Sequence, residues 1–297
     1  MIPFRDLLAS DAFLVTGELG PPQHGDSQSI RKKAAHFKKG VHAVNVTDNQ
    51  TGIVRLSSIA SAKVLLDEGL EPVVQMTCRD RNRIALQSDL LGAAALGLRN
   101  VLCLTGDHQR FGNHPEARGV FDLDSVQLIA AVRGMNGGFF LSGEPIDPPC
   151  GFVIGAAANP FAEPYAYRLN RLEKKIRAGA VFVQTQAVFD IDRFRQWMQG
   201  VRTLGIHRRA AILAGVIPVR SAKALRYMKE EVAGVTVPDA LIARMEKASD
   251  PKEEGVRLAA DIIRELKQEE GVRGIHLMPV LWESVVPRVL EEAGLSG

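Results

Sequence analysis

The sequence predicts a single-domain (β/α)8 barrel, the TIM-barrel class of α/β fold, over residues 1–297. Eight short apolar runs alternate with segments whose apolar residues recur at helical spacing, and this alternation favours a parallel sheet closed into a barrel. The competing doubly wound fold usually carries a GxGxxG turn after its first strand, and this chain has none. No linker with a shift in composition divides the chain, so we predict one domain.

The first four predicted strands are apolar runs over residues 13–19, 41–47, 72–77 and 101–104. The fourth run stops at Thr-Gly-Asp, which is typical of a strand buried on both faces that ends in a loop carrying a carboxylate. Helices are predicted between these strands, over residues 26–38, 57–66 and 80–96. Asp26 or Ser27 caps the first helix, and a fourth helix begins at Asp122 or Asp124, after the long loop 108–120.

The second four predicted strands cover residues 151–158, 181–186, 210–217 and 274–278. Helices are predicted from a seam of Leu169, Leu172 and Ile176, and then over residues 191–203, 222–228, 238–247, 251–267 and 284–293. Basic residues occupy the other sides of the first of these helices: Arg168, Arg171, Lys174 and Lys175.

Composition and charge are those of an ordinary soluble protein. Hydrophobic residues make up 46% of the chain and charged residues 24%, with a formal net charge of +3. This balance predicts no nucleic-acid partner, although a local basic pocket for an anionic cofactor is compatible with it. Three scattered cysteines without a CxxC pair argue against a disulfide framework and a zinc site. The amino terminus has no apolar core of signal-peptide length, and no run approaches the roughly 18 apolar residues of a membrane span, so we expect no membrane partner and a cytoplasmic location.

Polar side chains recur at the carboxyl ends of the predicted strands, which all face one rim of a barrel. This rim collects Glu18, Thr47, Asn49, Gln75, Thr77, Asp107, Asn159, Gln186 and His276. A turn or cap would explain most of them singly. Glu18 is an exception, because its neighbours place the carboxylate in a nearly apolar strand end, which suits a general acid. Gln186 is a second candidate, since an amide both donates and accepts and can recognise the edge of a heterocycle.

Six short motifs occur in a recognisable order along almost the whole chain. They are Glu18 with Pro21-Pro22, Val44-Asn45-Val46-Thr47, Gln75-Met76-Thr77-Cys78, Leu104-Thr105-Gly106-Asp107, Thr185-Gln186 with Phe189-Asp190, and Gly215-Val216-Ile217-Pro218-Val219. Their order and spacing resemble the 5,10-methylenetetrahydrofolate reductase family. The loop with Phe121 and Asp124, and the segment 156–160, are most similar to bacterial branches of that family.

The resemblance implies a flavin-dependent enzyme that passes a hydride from NADH, NADPH or another donor to FAD, and then from the flavin N5 to the methylene bridge of methylenetetrahydrofolate. It implies that Glu18 is the general acid, that Asp107 lies beside the flavin and the pterin, and that Gln186 hydrogen-bonds the pterin or the nicotinamide amide. It also implies contacts to FAD from Thr47, Gln75, Leu104, Thr105, Gly106, Phe121, Ala157, Asn159 and Lys175.

Several positions depart from the family pattern. Asp48-Asn49-Gln50 replaces an aromatic residue and Gly-Ala after the second strand, and Thr105 replaces an arginine that usually precedes the Gly-Asp of the fourth strand. These departures concern the electron-donor side and motivate an alternative hypothesis, a folate- and flavin-binding subunit that acts only in a larger electron-transfer or methyl-transfer complex. A homo-oligomer is compatible with either hypothesis. A third hypothesis is a pterin-binding methyltransferase barrel without flavin, which would be colourless when pure.

Overall fold

A computed structural model describes residues 2–232 and 234–295 and confirms the (β/α)8 barrel. The eight parallel strands are β1 (Leu14–Leu19), β2 (Ala43–Val46), β3 (Pro72–Thr77), β4 (Asn100–Leu104), β5 (Val153–Ala158), β6 (Phe182–Ala187), β7 (Ala211–Val216) and β8 (Val272–Leu277). They pair in sequence order, and β1 closes the barrel against β8 with Thr16 opposite His276. All carboxyl ends therefore open at one rim, here called the mouth, and the amino ends form the base.

The helices surround the sheet and close its base. They are α1 (Phe4–Ala9), α2 (Gln28–Ala34), α3 (Ser58–Asp67), α4 (Arg83–Ala95), α5 (Ser125–Asn136), α6 (Tyr165–Ala178), α7 (Ile191–Thr203), α8 (Ala222–Glu231), α9 (Asp239–Glu246), α10 (Pro251–Gln268) and α11 (Val286–Glu292). Among the described residues, no helix is both long and apolar enough to cross a bilayer.

Local hydrogen bonds explain where the helices differ from the sequence-based boundaries. Helix α4 begins at residue 83 rather than 80, because the Asn82 side chain caps it by accepting hydrogen bonds from two backbone N–H groups. Asp124 caps α5 in a complete capping box, whereas Asp122 pairs with Arg83. Helix α2 ends at residue 34 and continues as one 3-10 turn, and α11 follows a similar turn over 283–285. The short helix α1 was not predicted.

Two apolar cores hold the barrel together. The larger one lies between the sheet and the surrounding helices. The smaller one fills the lower half of the barrel interior and consists of Phe4, Leu14, Ala43, Val73, Leu102, Val153, Phe182, Ala211 and Leu213. Phe4 of α1 is fully buried and packs edge-on against Phe182, with ring centroids 5.3 Å apart. Helix α1 thus seals the base of the barrel interior.

Candidate active site

The mouth contains two adjoining clefts of about 330 and 320 Å³. The first is lined from the ends of β1, β3, β4, β5, β6 and β8, and the second extends over the loops after β2, β3 and β4. Residues common to both are Gln75, Leu104, Ala157, Arg171 and Lys175. The clefts therefore form one continuous groove across the carboxyl ends of the strands, where barrel enzymes place their chemistry.

Glu18 lies in the first cleft, where Gln75 holds its carboxylate and His276 lies beside it. Gln75 Nε2 donates to Glu18 Oε2 over 3.1 Å, and His276 Nε2 lies 3.5 Å from the same oxygen. The expected apolar surroundings are only part of the environment of Glu18. Leu104, Trp197 and Met278 line the same cleft, but the polar side chains of Gln75 and His276 lie beside the carboxylate. Leu19 faces away from Glu18 because alternate residues of a strand point to opposite faces.

A chain of buried polar groups continues from His276 into the barrel. His276 Nδ1 is 3.0 Å from Thr16 Oγ1, which also accepts a hydrogen bond from Gln184 Nε2 over 3.1 Å. Gln184 and Asn45 exchange a pair of amide hydrogen bonds of 2.6 and 3.0 Å across the barrel. Because each of these side chains is buried and bonded, the His276 ring has one defined orientation beneath Glu18.

Basic side chains of α6 form one wall of the groove. Arg168, Arg171 and Lys175 line it at helical spacing, on a side of the helix that the sequence predicts to be basic. Lys175 Nζ donates to the Ala157 carbonyl over 2.6 Å, and burial, aided by the nearby Arg171, lowers the pKa of the Lys175 ammonium to about 8. Arg171 pairs with Asp124 at 3.2 Å, and Arg168 Nε is buried without a hydrogen-bond partner. This wall is suited to an anion.

Asp107 lines the second cleft, and a buried arginine fixes its backbone. Arg79 has only 2% of its side chain exposed; it donates to the carbonyls of Asp107 and Asn49 over 3.2 and 3.0 Å and pairs with Asp80 at 2.7 Å. Gly106 has a φ of +94°, which favours glycine. It also approaches this arginine closely, since an added Cβ would lie 3.0 Å from Arg79 Cβ. Arg79 therefore joins the loops after β2, β3 and β4.

Asp48, which departs from the family pattern, forms a second buried ion pair. Its carboxylate accepts from the Thr77 N–H and hydroxyl, both over 2.9 Å, and pairs with Arg81 at 2.7 Å. Arg81 also pairs with Asp89 of α4 at 2.7 Å. Where the family pattern has an aromatic residue, this chain therefore has an ion-pair network that ties the end of β3 to α4.

The other predicted site residues are distributed around the groove. Gln186 lines the first cleft and uses Oε1 to accept from the Ala187 N–H, while its amide nitrogen donates to no described residue. Asn159 also lines it, with Oδ1 accepting from two backbone N–H groups. Thr105 borders the second cleft and accepts from the first N–H of α5. Thr47 is buried with an unpartnered hydroxyl, and Phe121 lines neither cleft.

Three arginines were missed as site residues by reasoning from the sequence. Arg79 was overlooked because arginine is seldom fully buried, and Arg168 and Arg171 because the apolar seam of α6 was taken to define its only inner face. The spacing of Arg168 and Arg171, at i and i+3 on the same helix face and followed by Lys175, could have indicated a basic wall. In the described part of the chain, no cluster of three or more His, Cys, Asp or Glu side chains could hold a metal ion.

Comparison with known proteins identifies relatives of this barrel. A family model described as methylenetetrahydrofolate reductase matches residues 3–294. A probable methylenetetrahydrofolate reductase (NADPH) of Caenorhabditis elegans is 26% identical over 246 residues, or 82% of this chain and 35% of that protein. Methylenetetrahydrofolate reductase 2 of Schizosaccharomyces pombe is 26% identical over 84% of this chain and 40% of its own length. A probable methylenetetrahydrofolate reductase (NADH) of Oryza sativa is 26% identical over 76% of this chain and 38% of its own length.

The chain thus spans about two fifths or less of the length of these relatives. Among solved structures, an uncharacterised protein from Clostridium thermocellum that binds two copies of 5-methyl-5,6,7,8-tetrahydrofolic acid superposes with a TM-score of 0.68. The match covers 99% of this chain and 96% of that one at 15% identity, and at such identity it shows the shared fold alone.

Proposed function

The chain belongs to the methylenetetrahydrofolate reductase family, and on this premise we propose that it reduces 5,10-methylenetetrahydrofolate to 5-methyltetrahydrofolate in the groove at the mouth of the barrel. The observation that carries the proposal is the Glu18 carboxylate, held in the first cleft by Gln75 and placed beside His276. NADH or NADPH is the proposed electron donor, since one of the relatives above is named for NADPH and another for NADH.

Glu18 is the proposed general acid. The methylene bridge of the folate opens when one of its two nitrogens gains a proton, and a shielded carboxylic acid within the cleft can deliver that proton. The Glu18 side chain is only 12% exposed. Both contacts to its carboxylate involve Oε2, so Oε1 can meet the substrate nitrogen.

His276 is proposed to position Glu18. Its Nε2 lies 3.5 Å from Glu18 Oε2, and its Nδ1 lies 3.0 Å from Thr16 Oγ1. The Gln184–Asn45 pair below keeps Thr16 in place, so the ring cannot turn away from the carboxylate. These groups position the acid, and two of them, His276 and Gln184, also line the first cleft.

The residues of the groove fit FAD. A dinucleotide needs a long site with cationic donors for its diphosphate, and the groove offers this shape together with Arg168, Arg171 and Lys175 on one wall. The buried Nε of Arg168, which lines the first cleft, and the buried hydroxyl of Thr47, which lies outside the lining of both clefts, have no hydrogen-bond partner among the described residues. Bound FAD would supply the hydride that reduces the methylene carbon. Leu104, Gly106 and Ala157 line the groove with small or apolar surface suited to a flat ring.

Asp107 and Gln186 are proposed to orient the ligands from opposite sides of the groove. Asp107 lies in the second cleft, where Arg79 holds its backbone. Gln186 lies in the first cleft, and its free amide N–H groups can donate to a carbonyl of the pterin or of the nicotinamide. Recognition by hydrogen bonds then selects the heterocycle, while Glu18 performs the proton transfer.

This function is tested by measuring two half-reactions of the Glu18→Gln variant separately: reduction of the flavin by a nicotinamide and its reoxidation by methylenetetrahydrofolate. We expect the variant to retain bound flavin and its reduction by NADH or NADPH, while reoxidation by methylenetetrahydrofolate slows about 10²- to 10⁴-fold, because only the second step needs the acid. Glu283→Gln is a matched control: this carboxylate is 11% exposed but pairs with Lys33 outside both clefts, so the variant should keep full turnover. Undiminished folate turnover in Glu18→Gln would overturn the proposal. Flavin that is reduced by dithionite but by neither nicotinamide would favour the partner-dependent alternative.

A further inference from the structure

A separate cavity of about 420 Å³ lies at the base of the barrel, at the opposite end from the mouth. It is bounded by α1, the 3-10 turn 206–208 and the first residues of β5, β7 and β8. Apolar side chains such as Leu8, Phe152 and Val181 line one part of it. Its volume is in the range of small-molecule sites.

The polar lining of this basal cavity is entirely basic. It consists of Arg5, His207, Arg208, Arg209 and Arg273, and no Asp or Glu lines the cavity. Arg209 is paired with Glu173, but Arg5 and Arg273 donate to backbone carbonyls, which do not neutralise their charge. The Arg208 backbone N–H donates to the Gly205 carbonyl, but its guanidinium group makes neither a hydrogen bond nor an ion pair with any described residue. Several uncompensated positive charges in one concave site create a potential that attracts anions.

We propose that the basal cavity binds a small phosphorylated ligand with a flat apolar ring, of the size of a mononucleotide. Guanidinium groups match phosphate oxygens in geometry and charge, and Arg5, Arg208 and Arg273 supply three of them around one space. The apolar surface of Leu8, Phe152 and Val181 accommodates the ring. This site is independent of the groove at the mouth and does not rest on the proposed reductase function.

The ligand would also connect parts of the fold that are far apart in sequence. Arg5 belongs to α1, Arg208 to the turn before β7, and Arg273 to β8. A phosphate bound by all three would link the helix that seals the base to the closing strands. Binding to the native state alone raises the midpoint of thermal unfolding, so the ligand is expected to stabilise the protein.

The test is a calorimetric titration of the protein, in the presence of excess FAD, with AMP, adenosine, ribose 5-phosphate and inorganic phosphate. We expect AMP to bind more tightly than adenosine or either simple phosphate, because it uses both the arginines and the apolar wall. Binding should weaken as salt is added. The Arg5→Gln/Arg208→Gln variant should bind AMP about tenfold or more weakly, and Lys32→Gln, an exposed charge on α2, should bind it normally.

Two further measurements locate the ligand. Arg171→Gln alters only the groove at the mouth and should retain AMP binding, and amide hydrogen exchange should slow at residues 4–9 and 205–211 when AMP is added. Both arginines of the double variant are exposed, so it should fold, which far-UV circular dichroism verifies. Absence of AMP binding, equal binding by the double variant, or loss of binding in Arg171→Gln would each overturn the proposal.

Discussion

The two ends of the barrel interior are built from the same strands but have opposite chemistry. Along β1, the inward-pointing residues change from Leu14 to Thr16 to Glu18, and along β6 from Phe182 to Gln184 to Gln186. Each step of two residues keeps the same face and moves about 7 Å towards the mouth. The lower half stabilises the fold by apolar burial, whereas the upper half keeps polar groups buried, which favours a reactive site at a cost in stability.

The largest effect is expected from Phe4→Ala at the base. Phe4 is fully buried and contacts Phe182 edge-on, so its removal leaves a cavity and should lower the free energy of unfolding by about 3–5 kcal/mol. Urea denaturation measures this loss. Turnover per folded molecule should be unchanged, because the base takes no part in the chemistry at the mouth.

The control for Phe4→Ala is Phe111→Ala, which removes the same ring from an exposed site in the loop after β4. Its free energy of unfolding should change by less than about 0.5 kcal/mol. A Phe4→Ala variant that is as stable as the wild type would show that α1 does not seal the barrel.

A smaller loss of stability is expected at the mouth from Asp48→Asn. The variant leaves Arg81 without its buried partner, although Asp89 remains, so the free energy of unfolding should fall by about 2–3 kcal/mol. Urea denaturation again measures it. Asp122→Asn breaks the exposed pair with Arg83 and should cost much less, since exposed ion pairs contribute little. Equal effects of the two variants would mean that Asp48 has no special structural role.

The sequence predicts the barrel well and the inner part of the site poorly, for a physical reason. Apolar runs identify all eight strands, since strands of a parallel sheet are buried on both faces. His276 was named among the rim residues, but Asn45 and Gln184 deeper in the barrel were not singled out, because each is isolated within an apolar strand and their pairing depends on the closure of the barrel. Short helix α1 was missed because its six residues are too few to show helical periodicity.

The proposed positioning role of His276 predicts an effect of intermediate size that is confined to the mouth. His276→Asn removes the ring nitrogen facing Glu18 and should slow folate reduction about tenfold to a hundredfold and shift its pH profile, without changing flavin affinity. Rapid-reaction kinetics of the reoxidation step measures this. His42→Asn is the comparison: this ring accepts a hydrogen bond from the Val15 N–H over 2.9 Å, lines neither cleft and should affect stability only. If both variants lowered turnover equally, the effect of His276 would be structural.

The smallest effect is expected in the pH dependence of the proposed FAD binding. Burial holds the pKa of Lys175 at about 8, so its ammonium is charged below that pH and available to a diphosphate, and it loses its proton above it. The affinity for FAD should therefore fall by up to about tenfold between pH 7 and pH 9, as followed by flavin fluorescence. Lys175→Arg should flatten this dependence, since arginine stays protonated, and Lys174→Gln, its exposed neighbour, should preserve it. An affinity that does not change with pH in the wild type would mean that Lys175 does not bind the diphosphate. The basic wall of α6 would then have to bind the diphosphate through Arg168 and Arg171 alone.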